Sequence, residues 1–399
     1  MRNFDASCDQ VHALCNSKEI AQALELTRQL ASQPSTVSDF VKLGYCQSRL
    51  GLFNEAESSL NIALRHLPGT HHSAFVVGNE LVAVKYSLGK VEEGVALEKQ
   101  LYGRQHFRLP APDPANVPEE INLRIREKLL EDGQSVAGKS VFVMPIGGIG
   151  DTLQQYRHIE HLIAEGASAV FINPREATRE LILNSRLPVN VAHATIGDLA
   201  RHDFVALGNI LALRYRNTPS QGGYLKPIKP HSGATQLPAV SGKRKIGLVW
   251  RSTNATWPNC RLEPFRSTEL GTLKPLLVND DVQFYSLQFG GYTPAEQAIL
   301  SRHRILDLSP VIHSCADLAA IMVQLDKVIS ICSAPAHLAG ALDVPVWTML
   351  SRIADWRWGT TGQTATSLYP SMRLIRQTEL DNWEPVIAEM ASRLERGEH

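Results

Sequence analysis

The chain of 399 residues has no excess of charge: 40 lysines and arginines stand against 40 aspartates and glutamates. A zero balance removes the global attraction that draws basic proteins to nucleic acid or anionic lipid, so any polyanion must be met by a local site. Long hydrophobic runs are also missing. The uncharged stretch 328–342 is interrupted by Pro335 and His337 and is too short to span a bilayer. The start, Met1-Arg2-Asn3-Phe4-Asp5, has no apolar signal-peptide core. The six cysteines, Cys8, Cys15, Cys46, Cys260, Cys315 and Cys332, form no C-x-x-C pair and no zinc-spaced set with histidine. These absences predict a cytoplasmic chain with idle thiols, no transmembrane segment and no nucleic-acid partner. What is present, a 44% hydrophobic share over this length, suits two or three domains with proper cores.

Residues 1–105 show no strand-like alternation and read as helix after helix. Phe40, Leu43, Gly44, Gly51, Phe53, Ala56, Leu60, Ala63 and Pro68 fall at the small and large positions of a 34-residue helix–turn–helix repeat of the tetratricopeptide kind. A weaker copy follows at Gly89, Val91 and Gly94, and a degenerate one precedes at Ala23 and Pro34. Three copies are the minimum for an array that buries its own faces; a generic helical bundle is the plainer alternative. Residues 105–120 turn to Pro-Ala-Pro-Asp-Pro, a stiff connector, and a short helix is expected over 121–131.

The pattern then becomes alternating strand and helix. Strands are expected at 140–145 and 168–172, with a helix running from the glycine loop to about residue 165. The stretch 218–243, rich in Pro, Gly and Ser, reads as a linker. A second series places strands at 245–250, 282–287, 327–331 and 345–350, and a last helix at 382–395 that could fold back across the junction. The expected architecture is α plus α/β, with tetratricopeptide-like helices followed by two facing Rossmann-like domains. Its division is 1–105 for the repeats, 106–137 for linker and connecting helix, 138–225 for the first α/β domain, 226–242 for a linker and 243–399 for the second.

Three places carry chemistry. Gly147-Gly148-Ile149-Gly150-Asp151-Thr152 lies between a strand and a helix, where glycines let the backbone approach a ligand and the helix N-terminus favours an anion. Neither a P-loop nor a dinucleotide fingerprint fits, because Asp151-Thr152 stands where Lys-Ser/Thr is needed and Leu153 where a third glycine is needed. Asp151 is either a helix cap or a general base at the interdomain cleft. Ser333-Ala334-Pro335-Ala336-His337 opens the helix after 327–331, with Ser333 expected as N-cap and the N-terminus open to a pyrophosphate; His337 is either packed or a donor to that ligand. Trp250-Arg251-Ser252-Thr253 follows the first strand of the second series, and Arg251 is either a surface ion pair or a phosphate clamp, with Arg261 ten residues on. Asp355-Trp356-Arg357-Trp358 and Tyr369-Pro370-Ser371-Met372-Arg373 read as core packing at a junction or as a ligand wall.

These residues, from Asp326-Lys327-Val328-Ile329-Ser330 through Ala336-His337-Leu338-Ala339-Gly340-Ala341-Leu342, Pro345-Val346-Trp347, Asp355-Trp356-Arg357-Trp358 and Tyr369-Pro370-Ser371-Met372-Arg373, together with Gly150-Asp151-Thr152 and Ile246-Gly247-Leu248-Val249-Trp250, closely resemble bacterial tetratricopeptide-repeat glycosyltransferases. That family is similar to the heptosyltransferases and, more distantly, to the O-GlcNAc transferases. The resemblance implies a GT-B fold of two Rossmann-like domains and metal-independent inverting transfer of a sugar from a nucleotide sugar to an acceptor hydroxyl. The absence of a D-x-D triplet agrees with it. No cofactor is implied beyond the donor itself. Asp151 matches the carboxylate proposed as base; Gly148, Gly150, Thr152, Trp250, Arg251, Gln288, Ser333, Ala334 and His337 match the donor side. The acceptor is expected to be a protein or peptide held partly by the repeats, whose concave surfaces suit extended chains. Two departures stand out: Cys332 where many relatives carry an acid, and the loop 254–260. They support the alternative of a non-catalytic interaction scaffold with a degenerate transferase region.

Overall fold

The computed structural model describes residues 4–68, 72–104, 119–192, 196–218, 220, 222–225, 236–238, 240, 242–252 and 265–398. The connector from 105 to 118, most of the linker, and the stretch with Thr253, the loop 254–260 and Arg261 lie outside the described residues.

Six helices come first: α1 Phe4–Asn16, α2 Ile20–Leu30, α3 Val37–Arg49, α4 Phe53–His66, α5 His72–Ser87 and α6 Val91–Tyr102. They pair as three hairpins that share one turn. In each, a residue in the left-handed region, Lys18 (φ 63°), Gly51 (φ 74°) or Gly89 (φ 75°), ends the first helix. The N–H of the next residue reaches back to the same carbonyl position, Glu19 to Leu14, Leu52 to Gln47 and Lys90 to Lys85. Small residues bring the helices close: a Cβ on Gly44 would lie 2.6 Å from the Leu60 side chain. The first hairpin makes the same turn with lysine in the glycine position, and Lys18 Nζ lies 3.0 Å from Asp381.

After α7 (Glu119–Lys128), two parallel sheets follow. The first contains β1 Ser140–Met144, β2 Ala169–Ile172, β3 Asn190–Val191 and β4 Phe204–Leu207, in the order β3-β2-β1-β4. Its helices are α8 Ile149–Gln155, α9 His158–Ala164, α10 Glu176–Leu183 and α11 Gly208–Arg214. The single helix expected after the glycine loop is thus two, broken at Tyr156-Arg157. The second sheet contains β5 Arg244–Val249, β6 Val282–Ser286, β7 Leu306–Asp307, β8 Lys327–Ile331, β9 Val346–Leu350 and β10 Met372–Arg376, in the order β10-β9-β8-β5-β6-β7. Around it lie α12 Lys274–Leu277, α13 Pro294–Arg302, α14 Cys315–Met322, α15 Ala334–Ala341 and α16 Glu384–Glu395. The expected strands of both series are present, and β7 and β10 add to the second. Instead of folding across the junction, α16 packs on α12 of its own block, where Arg244 donates to the Leu394 carbonyl at 2.9 Å.

Helix α15 lies against α8, and α10 against α14, so the two sheets share one continuous core. The Leu225 N–H donates to the Ala341 carbonyl at 3.0 Å, and the Tyr224 hydroxyl to the Leu153 carbonyl at 2.6 Å. The order of each sheet reverses beside its first strand, between β1 and β4 and between β5 and β8. Open parallel sheets bind ligands at the carboxyl ends of strands at such a switch. The glycine loop leaves β1, Trp250 leaves β5, and Cys332 and Ser333 leave β8 at these two points.

Candidate active site at the seam between the two sheets

The glycine loop is fixed from below by Gln155. Its side chain accepts from the Ile146 N–H at 2.9 Å and donates to the Ile146 carbonyl at 2.8 Å, while Arg175 donates to the Gly147 carbonyl. Above the loop, Asp151 accepts the Gly148 N–H at 2.7 Å, so it caps α8. Its other oxygen lies 2.6 Å from Nη2 of Arg357, and Nη1 of Arg357 lies 2.9 Å from Asp355. Burial opposes the charge on Arg357, but Asp151 and Asp355 outweigh it, and the guanidinium pKa is raised. Asp151 keeps 24% of its side chain exposed. The carboxylate therefore both caps its own helix and bridges to the second block.

Gly148, Gly150, Asp151, Thr152, Ser333, Ala334 and His337 come together where α8 meets α15. The contact is close because Gly150 has no side chain: a Cβ there would lie 2.7 Å from the His337 ring and 3.4 Å from Cα of Ala334. Ser333 occupies the N-cap position but does not cap. Its hydroxyl turns back to the Ile331 carbonyl at 3.3 Å and to Ser330. Thr152 is fully buried, its hydroxyl on the Gly148 carbonyl at 3.0 Å, and reaches no open surface.

His337 corrects its expected role as donor to a ligand. It is 3% exposed, hydrogen-bonded through Nδ1 to the Tyr369 hydroxyl at 2.9 Å and stacked on Trp358 at 4.8 Å. Burial, and after it the charge of Arg357, push its pKa down to about 3, so the ring is neutral. Trp358 Nε1 donates to Cys332 Sγ at 2.8 Å. Cys332 is thus a buried acceptor for an indole, its thiol pushed up to about 11 by burial.

Trp250, Arg251 and Gln288 form a separate cluster. Gln288 is 1% exposed, and its amide is spent inside the protein. The oxygen accepts the N–H groups of Trp250 at 3.1 Å and Arg251 at 3.0 Å; the nitrogen donates to the Arg251 and Phe289 carbonyls, both at 3.0 Å. Trp250 is fully buried with its indole N–H on Glu296 at 2.7 Å, and Arg251 lies 3.3 Å from the same carboxylate. Burial raises the Glu296 pKa, but the Thr293 N–H, Trp250 and Arg251 outweigh it and leave the group lowered. Direct donor contact by Trp250 and Gln288 is replaced by a clamp joining the loops after β5 and β6.

Sequence reasoning left Gln155 out of the site and placed Arg357 and Tyr369 only in segments read as core packing or a ligand wall, without a role for either side chain. The charge of Arg357 was the available signal. Among the described residues, no group of three or more His, Cys, Asp or Glu could hold a metal, and no helix is long and apolar enough to cross a membrane.

The class defined by this fold and site is α/β, with two parallel sheets meeting at their switch points and an N-terminal helical region. No family model matches the chain. Among curated proteins it is similar to Protein FlbA of Caulobacter vibrioides, 22% identical over 414 residues, which covers 96% of this chain and 65% of FlbA; the chain thus spans somewhat under two thirds of that relative's length. Among solved structures it is similar to a glycosyl transferase family 9 protein from Veillonella parvula, with TM-score 0.42 and 10% identity over 64% of this chain and 90% of that one. It is also similar to the ADP-heptose LPS heptosyltransferase II of E. coli, with TM-score 0.46 and 12% identity over 64% and 98%. A Thermobaculum terrenum O-GlcNAc transferase aligns with 98% of this chain and 92% of its own, at 15% identity and TM-score 0.25.

Proposed function

We propose that the chain is a glycosyltransferase of GT-B type, moving a sugar from a nucleotide sugar to an acceptor hydroxyl, with Asp151 as the base. The observation that carries this reading is the partly exposed Asp151 carboxylate at a strand-to-helix switch, next to Gly150, which meets the N-terminus of α15 at Ala334, where the N-cap side chain turns away. A carboxylate there can take the acceptor proton, while the Ala334 N–H and Arg357 stabilise the leaving diphosphate. Because Gly150 touches His337 and Ala334, donor entry requires α8 and α15 to part. Once Arg357 turns to the diphosphate, Asp151 is left free. Trp250, Arg251, Gln288, Thr152 and His337 support the walls of the site. The hairpins are read as tetratricopeptide repeats that present a protein acceptor, and the divisions at 105, 137, 225 and 242 as the limits of the working units.

The test is a panel of nucleotide sugars assayed for transfer and for slow donor hydrolysis. Wild-type activity that falls about a hundredfold or more in Asp151→Ala is expected; full activity in the variant sinks the assignment. A second reading, a scaffold with a closed cleft, is favoured by the Asp151–Arg357 pair and the α8–α15 contact. Calorimetry with UDP, GDP and ADP separates the two, since a scaffold binds none of them.

A further inference from the structure

The last hairpin of the helical region ends on the site just described. Tyr86, at the end of α5, lays its ring on Trp356 with centroids 4.4 Å apart and planes 27° from parallel. Room for that ring comes from α6: a Cβ on Gly94 would lie 2.8 Å from it. A glycine inside a helix costs about 1 kcal/mol relative to alanine, so this position favours the tyrosine over its own helix. The Tyr86 hydroxyl donates to Glu98 at 2.9 Å, and Glu98 also accepts from Asn209 of α11 at 3.1 Å. Glu98 is 6% exposed and its pKa is raised, chiefly by burial. One buried carboxyl thus joins the hairpin to the first sheet, while the tyrosine ring joins it to the second.

Trp356 is the immediate neighbour of Arg357, whose guanidinium sits 5.5 Å from the centre of that indole and 2.6 Å from Asp151. The far side of the segment is held by Arg376, which donates to the Trp358 and Gly359 carbonyls at 3.0 Å. The segment 356–359 is therefore fixed by β10 at one end and by a residue of the helical region at the other.

We propose that Tyr86 is a positioning residue for Arg357: by stacking on Trp356 it holds the guanidinium on Asp151, so the third hairpin sets the geometry of the carboxylate. The positioning stands on contacts alone; its effect on turnover rests on the transferase reading above. A shift of about 1 Å at a reacting group lowers turnover by as much as a hundredfold, and losing one aromatic face gives a smaller displacement than that.

The test reads Arg357 directly. In full-length protein labelled with ¹⁵N-arginine, a guanidinium clamped between two carboxylates gives resolved Nη signals, which are assigned by their loss in Arg357→Lys. Tyr86→Leu is expected to merge or broaden them, and Tyr86→Phe, which keeps the ring and loses only the bond to Glu98, to retain them. Trp356→Leu, which alters the other face of the stack from outside the hairpins, gives the same result as Tyr86→Leu and serves if that variant does not fold. Unchanged Arg357 signals in folded Tyr86→Leu or Trp356→Leu overturn the proposal, as does a Tyr86→Phe that behaves like leucine. On donor turnover, Tyr86→Leu is expected to lower kcat about tenfold with KM within about twofold. If wild type neither binds UDP, GDP or ADP nor hydrolyses any donor while the Arg357 signals respond as expected, the transferase reading falls and the positioning role stands.

Discussion

The two switch points of this molecule carry similar residue types and end differently. At the carboxyl end of β5, a tryptophan and an arginine meet Glu296, while the Gln288 amide is taken up by the backbone of Trp250, Arg251 and Phe289. At the carboxyl end of β1, a carboxylate 24% exposed meets an arginine 20% exposed across the seam. The difference lies in where the partners come from. In the first cluster every partner belongs to the same block, so nothing is released when the blocks move. In the second, Asp151 and Arg357 belong to different blocks, and any separation of α8 from α15 releases one oxygen of Asp151 and one amino group of Arg357, while Gly148 and Asp355 keep their hold within each block. Availability to a ligand follows from the origin of the partner more than from residue type or loop position.

Substitutions at the two points put this contrast at risk in different ways. The largest expected effect is structural: Gln288→Ala removes hydrogen bonds to two backbone N–H groups and two carbonyls, one of them on the buried Trp250 and the rest part-buried, and should lower stability by about 3 kcal/mol in urea unfolding. A loss below about 1 kcal/mol would show the clamp is not saturated as described. Next is Asp151→Ala, where the expected hundredfold fall in turnover, about 2.7 kcal/mol in barrier, accompanies only about 1 kcal/mol of stability, the ordinary worth of a cap. A stability loss as large as that of Gln288→Ala would erase the contrast.

A third prediction concerns pH. His337 has a folded pKa of about 3 against 6.5 for the unfolded chain. Between those values the unfolded state binds the proton and the folded state does not, so stability is full above pH 6.5 and falls as pH drops toward 3. At pH 5 the loss from this one group is about 2 kcal/mol. His158, whose pKa is also lowered, foremost by burial, adds in the same direction. The difference in urea midpoint between pH 7.5 and 5 should shrink in His337→Gln. The smallest effect is expected at Arg251: because Glu296 already holds it, Arg251→Met should leave UDP, GDP or ADP affinity within about twofold and cost about 1 kcal/mol. A tenfold weaker affinity would place it in the site after all.

Much of this was legible in sequence. The apolar runs at 245–250, 282–287, 327–331 and 345–350 gave strands to within a residue or two, because strands buried on both faces carry near-continuous hydrophobic runs. Strand β10, Met-Arg-Leu-Ile-Arg, was hidden by its two arginines and by the aromatic segment before it, and β7 by having only two residues. Asp151 and the glycine loop were visible because strand, glycines and acid are consecutive. Arg357 was not, since its partner lies some two hundred residues away and only packing of the blocks brings them together. For the same reason Gln288 and His337 looked available: sequence shows the polar group but not the partners that occupy it.

The three left-handed turns all bear on the second block. Lys18 meets Asp381, a Cβ on Gly51 would meet Ile353 at 2.8 Å, and one on Gly89 would come within 3.8 Å of Thr360. A free stack of hairpins is springy, and its pitch is set only by neighbour on neighbour. Here each hairpin is pinned separately, so the pitch is imposed from outside and the stack cannot coil or stretch as a spring. An extra hairpin inserted between two of these would throw every earlier turn off its anchor, whereas one added ahead of α1 would disturb none. Growth of such an array is thereby confined to a single end.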